Sequence, residues 1–356
     1  MKDESKTPDN SFHGPGARRS FLGPAAAGVV GFLAARALAG RRTTSFRDRV
    51  VVITGGSRGL GLVLAREFAG EGARLALLAR DEDELERARQ ELAAGGAAVL
   101  AIPCDVSRQA DVDAAVDSIL EEFGAVDVLV NNAGLIQVGP LEQMRLEDFE
   151  NTMAVHFWGP LYAILRVIPQ MRERGGGRIV NISSIGGLVA IPHLAPYCAS
   201  KFALVGLSDG LRTELAPYGI QVTTVCPGLM RTGSHLNALF KGQHEEEFAW
   251  FSVSGALPVS SVDARSAARQ ILAACRRGAP RLVITVQAKA LVLGASLFPG
   301  MTARAMALLN RILPGPTADR GEIVKTGWES RSRRAPSVLT HLADRAAERN
   351  NEGTLE

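Results

Sequence analysis

Neither a metal cluster nor a disulfide framework can be read in this chain of 356 residues. Its four cysteines, Cys104, Cys198, Cys226 and Cys275, form no C-x-x-C pair and have no histidine-rich neighbourhood. A zinc site is therefore not expected, and scattered buried thiols in a reducing compartment are. Aromatic residues are scarce at 5%, a bias to which no function attaches. An excess of one charge is missing too: 40 Lys and Arg face 37 Asp and Glu, and a net +3 is too small to argue for a nucleic-acid partner. Long hydrophobic runs are nearly absent. The exception is Ser20 to Ala35, 16 residues without a charge, continued beyond Arg36 by Ala37 to Gly40, and a spanning helix wants about 20 apolar residues. No internal repeat is visible.

What is present is enough for a sizeable core: 46% apolar and 22% charged residues, with a mean hydropathy of +0.08. The most informative stretch runs from Ser184 to Lys201. Tyr197 and Lys201 are spaced i and i+4, so a helix through them places both on one face. A free phenol titrates near ~10 and needs a neighbouring cation to act as a base at neutral pH. Lys201 is that candidate cation. Such a phenol can give a proton to an oxygen acquiring hydride or take one from an alcohol, while the Ser184 hydroxyl holds the same oxygen.

Periodicity supplies the context. Val50 to Thr54 is a short apolar run ending in glycines, and Leu60, Leu62, Val63, Leu64 and Phe68 then repeat at helical spacing. In that strand, turn, helix setting, Gly55, Gly59 and Gly61 allow a tight turn and close approach to a pyrophosphate at the helix N-terminus. Further strands are expected at 75–79, 99–102, 126–130, 177–183, 220–225 and 281–285, with helices between them. The alternation predicts an α/β fold: a doubly wound, Rossmann-type parallel sheet with helices on both faces, in a single catalytic domain, with the ligand at the carboxyl ends of the strands. The second strand ends in Ala79, where an NAD-selective chain would carry an acid. Arg80 follows and Arg58 lies in the glycine turn, so two guanidinium groups can flank a 2′-phosphate, although Asp81 blurs the signal and both arginines also read as solvated surface charges.

Five motifs occur in order: Thr54-Gly55-Gly56-Ser57-Arg58-Gly59-Leu60-Gly61, Asp105-Val106, Asn131-Asn132-Ala133-Gly134, Ser184 with Tyr197 and Lys201, and Pro227-Gly228. Together they resemble the short-chain dehydrogenase/reductase family over roughly residues 46 to 285. The resemblance implies Tyr197 as acid/base, Lys201 as the group that lowers its pKa and binds the nicotinamide ribose, and Ser184, thirteen residues before the tyrosine, as the group orienting substrate. It implies cofactor contacts from Gly55, Ser57, Arg58, Gly59, Leu60, Gly61 and Arg80, from Asp105 and Val106 at the adenine, from Asn132, Ala133 and Gly134 beneath the cofactor, and from Pro227, Gly228 and Thr232 at the nicotinamide end. Asp105 reads equally well as part of a helix N-terminal cap region. One departure stands out: His156 occupies the position where the family pattern has an asparagine aligning a water chain to the lysine. An imidazole there is expected to keep the relay and add a pH dependence near ~6.5, against the alternative of a satisfied histidine with no catalytic part.

The expectation is an NADP(H)-dependent oxidoreductase interconverting a carbonyl and a secondary alcohol. The alternatives are an NAD-dependent alcohol dehydrogenase and a non-catalytic dinucleotide-sensing or membrane-scaffolding protein. No metal is expected, and the family suggests dimers or tetramers. Residues 229–257 read as a lid whose Leu229, Met230, Leu239, Phe240, Phe248, Trp250 and Phe251 suit a lipophilic substrate or simply form core.

Three domains are expected. In 1–45, a polar leader precedes the apolar segment, read as an uncleaved membrane anchor with the catalytic domain cytoplasmic, because Arg36, Arg41, Arg42, Arg47 and Arg49 follow it. A surface helix, or a twin-arginine export signal at Arg18-Arg19, are the other readings; export conflicts with a cytosolic cofactor pool. The catalytic domain spans 46–286. In 287–356, two apolar helical patches around Phe298-Pro299-Gly300 form a lip, a dimer surface or plain packing, and the tail from Pro314 is expected to lack order apart from a helix near 338–349.

Overall fold

The computed structural model describes residues 44–256, 261–318, 321–331 and 341–353; the apolar segment and the readings attached to it lie outside these. Every residue of the strand Val50–Thr54 (β1) is β-branched and buried, as befits a strand covered on both faces. The chain then alternates. Gly59–Gly70 (α1), Arg74–Ala79 (β2), Glu82–Ala94 (α2), Val99–Pro103 (β3), Gln109–Phe123 (α3) and Val128–Asn131 (β4) follow in order. After Gln137–Val138 (β5) come Leu146–Met153 (α4), Gly159–Glu173 (α5), Gly177–Ile182 (β6), Ala195–Leu215 (α6) and Ile220–Pro227 (β7). Ala264–Arg277 (α8) and Arg281–Ile284 (β11) close the central sheet.

That sheet has seven strands in the order β11-β7-β6-β4-β1-β2-β3, every pair parallel. Its order reverses between β1 and β4, and a crevice opens at the strand ends at such a switch point. One core, around Phe68, Leu75 and Ile271, fills one face of the sheet. A second, around Val112, Ile164 and Val222, fills the other. The expected doubly wound α/β architecture is what forms. All four cysteines are buried and free.

The helical stretch from Leu146 to Glu173 is interrupted. Ala154–Trp158 makes a π-helical turn between α4 and α5, with His156 fully buried within it. Such a bulge redirects side chains without ending the helix.

The region after β7 is more structured than a loose lid. Leu229–Arg231 (β8) pairs with Ser261–Asp263 (β10), and Leu239–Lys241 (β9) pairs with β5 and with Val324–Thr326 (β12). His244–Ala256 (α7) packs over them. Phe240 and Phe248 belong to a third core.

Val286–Leu297 (α9) and Pro299–Asn310 (α10) form an exposed hairpin. Only Ala288 of α9 and no residue of α10 is buried, and Val286 and Ile312 are 76% and 77% exposed. No helix among the described residues is long and apolar enough to cross a membrane. In the tail from Pro314, the helix expected near 338–349 forms as His341–Arg349 (α11), whereas residues 350–353, expected to lack order, dock on the glycine turn. Thr44–Glu356 forms one compact unit.

Candidate active site

The glycine turn is built by close approach. Gly55 and Gly59 adopt φ of 64° and 55°, and a Cβ at Gly61 would lie 1.9 Å from the Gly55 carbonyl oxygen. Only glycine tolerates that contact. The turn is tied to the end of β4. Thr54 Oγ1 accepts from the N–H groups of Asn132 and Ala133 at 2.9 and 3.0 Å, and Asn132 Nδ2 donates to the carbonyls of Thr54 and Gly55 at 3.1 and 3.0 Å.

A cavity of about 700 Å³ starts at this turn and ends at Tyr197. Gly55, Ser57, Arg58, Gly59, Leu60, Arg80, Asp105, Val106, Asn132, Ala133, Gly134, Pro227, Gly228 and Thr232 line it, as do Ser184, Tyr197, Lys201 and His156. Gly61 lies under the wall. These residues fit a dinucleotide: a glycine turn at a helix N-terminus, then apolar walls, then a proton donor. Asp105 serves locally as well, since one carboxylate oxygen accepts from the N–H and hydroxyl of Ser107 at 3.0 and 2.7 Å.

At the far end, β6 delivers Ser184 and α6 delivers Tyr197 and Lys201 from one face. Ser184 Oγ accepts from the Gly186 N–H at 3.0 Å, which leaves its own proton to donate. Its neighbour Ser183 donates to the Lys201 carbonyl at 3.0 Å and is structural. Lys201 Nζ donates to the Ile182 carbonyl at 3.0 Å and is 4% exposed. Burial pushes the Tyr197 phenol up to about 12, against the pull of a hydrogen bond with the Ser184 hydroxyl. Burial also brings the Lys201 ammonium down to about 7, with Cys226 acting the other way. The expected lowering of the phenol by Lys201 is thus not what this geometry delivers. Nζ faces the Ile182 carbonyl, 5.7 Å from the ring centroid, and desolvation dominates both groups.

His156 also differs from expectation. The Leu135 N–H donates to its Nε2 at 3.1 Å, so Nδ1 carries the proton and donates to Ser200 Oγ at 2.8 Å. Ser200 in turn donates to the Tyr197 carbonyl at 2.8 Å. Both ring nitrogens are committed to protein partners, and burial, followed by the Lys201 charge, holds the imidazole well below its ordinary value. The ring therefore positions Tyr197 through Ser200, edge-on at 5.4 Å between centroids. It neither holds a water through its ring nor titrates near neutrality.

The two arginines separate. Arg80 is exposed and has no ion pair among the described residues. Arg58 pairs with Glu84 at 2.7 Å and lies 3.7 Å from Glu352, so it does not stand free for a 2′-phosphate. Asp81 caps α2, accepting from the Glu84 N–H at 2.8 Å. Burial raises Glu352 to about 7 while Arg58 opposes it.

Three contributors escaped the sequence. Glu84 could have been suspected from its place one turn into α2, beside the end of β2. Segment 350–353 carried no local signal. A buried set, His193 Nδ1 and Trp250 Nε1 both donating to Glu247 at 2.7 and 2.6 Å, ties α7 to the loop before Tyr197.

The profile of the family described as short chain dehydrogenase matches residues 49–239. A dehydrogenase/reductase SDR family member 7B of Danio rerio is 38% identical over 226 residues, 61% of this chain and 73% of that one. The 2-(R)-hydroxypropyl-CoM dehydrogenase of Xanthobacter autotrophicus is 39% identical over 189 residues, 52% of this chain and 76% of that one. Among solved structures, L-sorbose reductase from Gluconobacter frateurii, complexed with NADPH and L-sorbose, superposes with a TM-score of 0.62 at 28% identity over 68% of this chain and 97% of that one. NAD⁺-bound xylitol dehydrogenase superposes with a TM-score of 0.61 at 27% identity over 68% and 99%.

The commitment of both His156 nitrogens has a spectroscopic consequence. Its ¹⁵N signals should report a protonated Nδ1 and an unprotonated Nε2, unchanged between about pH 6 and about pH 8, where an ordinary histidine titrates. A mid-range titration would refute the assignment.

Proposed function

The chain belongs to the short chain dehydrogenase family of oxidoreductases, whose fold binds a nicotinamide dinucleotide, and we propose that it is an NADP(H)-dependent member interconverting a carbonyl and a secondary alcohol on a lipophilic substrate. The observation that carries the reading is the convergence of Ser184, Tyr197 and Lys201 at one end of a cleft whose other end is the glycine turn. A bound nicotinamide would supply or accept the hydride. Tyr197 gives its phenolic proton to the carbonyl oxygen in reduction and takes it back in oxidation. Ser184, with Oγ already accepting from Gly186, donates to the same oxygen. Lys201, anchored on the Ile182 carbonyl, fixes the floor of the site. With the phenol pushed up to about 12, the protonated form that serves reduction is the one present near neutral pH. Oxidation requires the phenolate, whose fraction grows about tenfold per pH unit below the pKa. Leu229, Met230 and Phe251 in the cleft wall support an apolar substrate.

Exposed Arg80, with Ala79 in place of an acid at the end of β2, supports the 2′-phosphate reading. One observation favours NAD(H) instead: Arg58 is occupied by Glu84 and faces Glu352, and two carboxylates would repel a 2′-phosphate.

The hairpin α9–α10 supports membrane association. It exposes Leu293, Leu297, Phe298, Met301 and Leu308. Its charges, Lys289, Arg304 and the adjoining Arg311, are all positive, and the sequence carries no acid from Ala264 to Ala318. An apolar face rimmed by cations alone is complementary to an anionic lipid surface, and the catalytic domain would lie on the cytoplasmic side.

Three measurements test this reading. Tyr197→Phe should leave dinucleotide affinity within about twofold and lose at least ~10² in turnover; near-normal turnover would sink the assignment. Arg80→Ala should weaken NADPH by about tenfold, the scale of one lost charge-assisted hydrogen bond, and leave NADH unchanged. Equal effects on both cofactors would point to the NAD(H) reading. In the full chain, the emission of Phe298→Trp should shift to the blue and be quenched by brominated lipid in anionic vesicles, and stay unchanged if the hairpin faces water.

A further inference from the structure

The N-terminus of α1, where a dinucleotide would place its diphosphate, already holds a partner from the far end of the chain. Its cap residue Arg58 makes no side-chain cap, so the first N–H groups of the helix lack a local acceptor. The Gly59 N–H donates instead to the Asn350 carbonyl at 2.8 Å. Glu352 lies against the same glycine. A Cβ on Gly59 would lie 2.4 Å from Glu352 Oε1, so this carboxyl takes the space that the missing side chain leaves for a phosphate. It is 3% exposed, and its other oxygen accepts from Asn237 Nδ2 at 2.6 Å.

The contact is clamped from both banks of the cleft. On one side Asn351 Nδ2 donates to the carbonyls of Ser57 and Glu84 at 2.9 and 3.0 Å, and Arg66 donates to Asn350 Oδ1 and to the Arg349 carbonyl at 3.2 and 2.9 Å. On the other, Asn350 Nδ2 donates to the Thr232 carbonyl at 3.3 Å. Asn351 sits at φ 58°, a conformation that asparagine tolerates better than most residues. Segment 350–353 therefore bridges the glycine turn and the loop after β8, which both line the cleft.

A carboxylate and a diphosphate share one chemistry: both are anions that take backbone N–H groups at a positive helix end. They cannot occupy one glycine-lined gap together, because each excludes the other by volume and by charge. We propose that segment 350–353 is an intramolecular occupant of the diphosphate subsite, with the Asn350 carbonyl and the Glu352 carboxyl as the competing oxygens, and that dinucleotide binding displaces it. The inference rests on the dinucleotide reading of the cleft and adds a regulated step to it. The affinity measured for a dinucleotide is the intrinsic affinity reduced by the fraction of molecules whose segment is released.

The test uses the full chain and point variants. Glu352→Gln keeps the shape and removes the charge; Asn351→Ala removes the bridge to Ser57 and Glu84. Titrated with NADPH and with NADH, both variants should bind about tenfold more tightly than the parent, the gain expected if the segment is released in one molecule in ten. Hydrogen exchange over residues 344–353 of the unaltered chain should rise when dinucleotide saturates it, a readout that does not depend on any variant folding well. Weaker binding by both variants, or exchange that slows on saturation, would mean the segment completes the cofactor site and would overturn the proposal. Unchanged affinity and exchange would overturn it too, while leaving the dinucleotide reading intact. Binding of neither dinucleotide by parent or variants would remove that reading and this proposal with it.

Discussion

Two backbone N–H groups converge on one hydroxyl at Thr54, and most of the site depends on that convergence. Because Asn132 and Ala133 donate to Oγ1 while the Asn132 amide reaches back to the Thr54 and Gly55 carbonyls, the glycine turn cannot shift without pulling the end of β4. The turn fixes where α1 begins. The end of β4 fixes Leu135, whose N–H orients His156, which orients Ser200 and so the backbone of Tyr197. A chain of short polar contacts thus runs from the proposed diphosphate end of the cleft to its proton-donating end. The His156–Ser200 link is buried, so breaking it leaves an unpaired polar group at a cost of about 1–3 kcal/mol, while the other links are part-buried.

Much of this was legible where the signal is local. The strand, turn and helix around Gly55 to Gly61 follow from apolar spacing and glycine placement, and the Tyr197–Lys201 pair follows from helical periodicity. Both lie where they were expected. What the sequence could not disclose was the choice of partners across long separations. Arg58 read as a free cation because nothing nearby marks Glu352, 294 residues on, as its neighbour. His156 was recognised as unusual, but its role depends on a π-helical turn and on one N–H from Leu135. Neither leaves a trace in spacing. The lid aromatics divided between both expectations: Phe240 and Phe248 are core, and Phe251 faces the cleft.

The electrostatics of the site are those of a dry pocket. Phenol and ammonium are each displaced toward their neutral forms by burial, so the phenol stays neutral and the ammonium gives up part of its charge near neutral pH. A pocket with a neutral phenol and a partly discharged ammonium costs less to keep free of water than a full ion pair would, and its apolar side-chain walls suit an apolar substrate.

The distance in sequence between Gly59 and Glu352, against their contact in space, has a practical side. A reporter joined to the chain behind Gly353 is mechanically joined to the cofactor turn. Strain on that junction and occupancy of the cleft then act on the same few hydrogen bonds, so a fluorophore placed there would read the cleft from outside it.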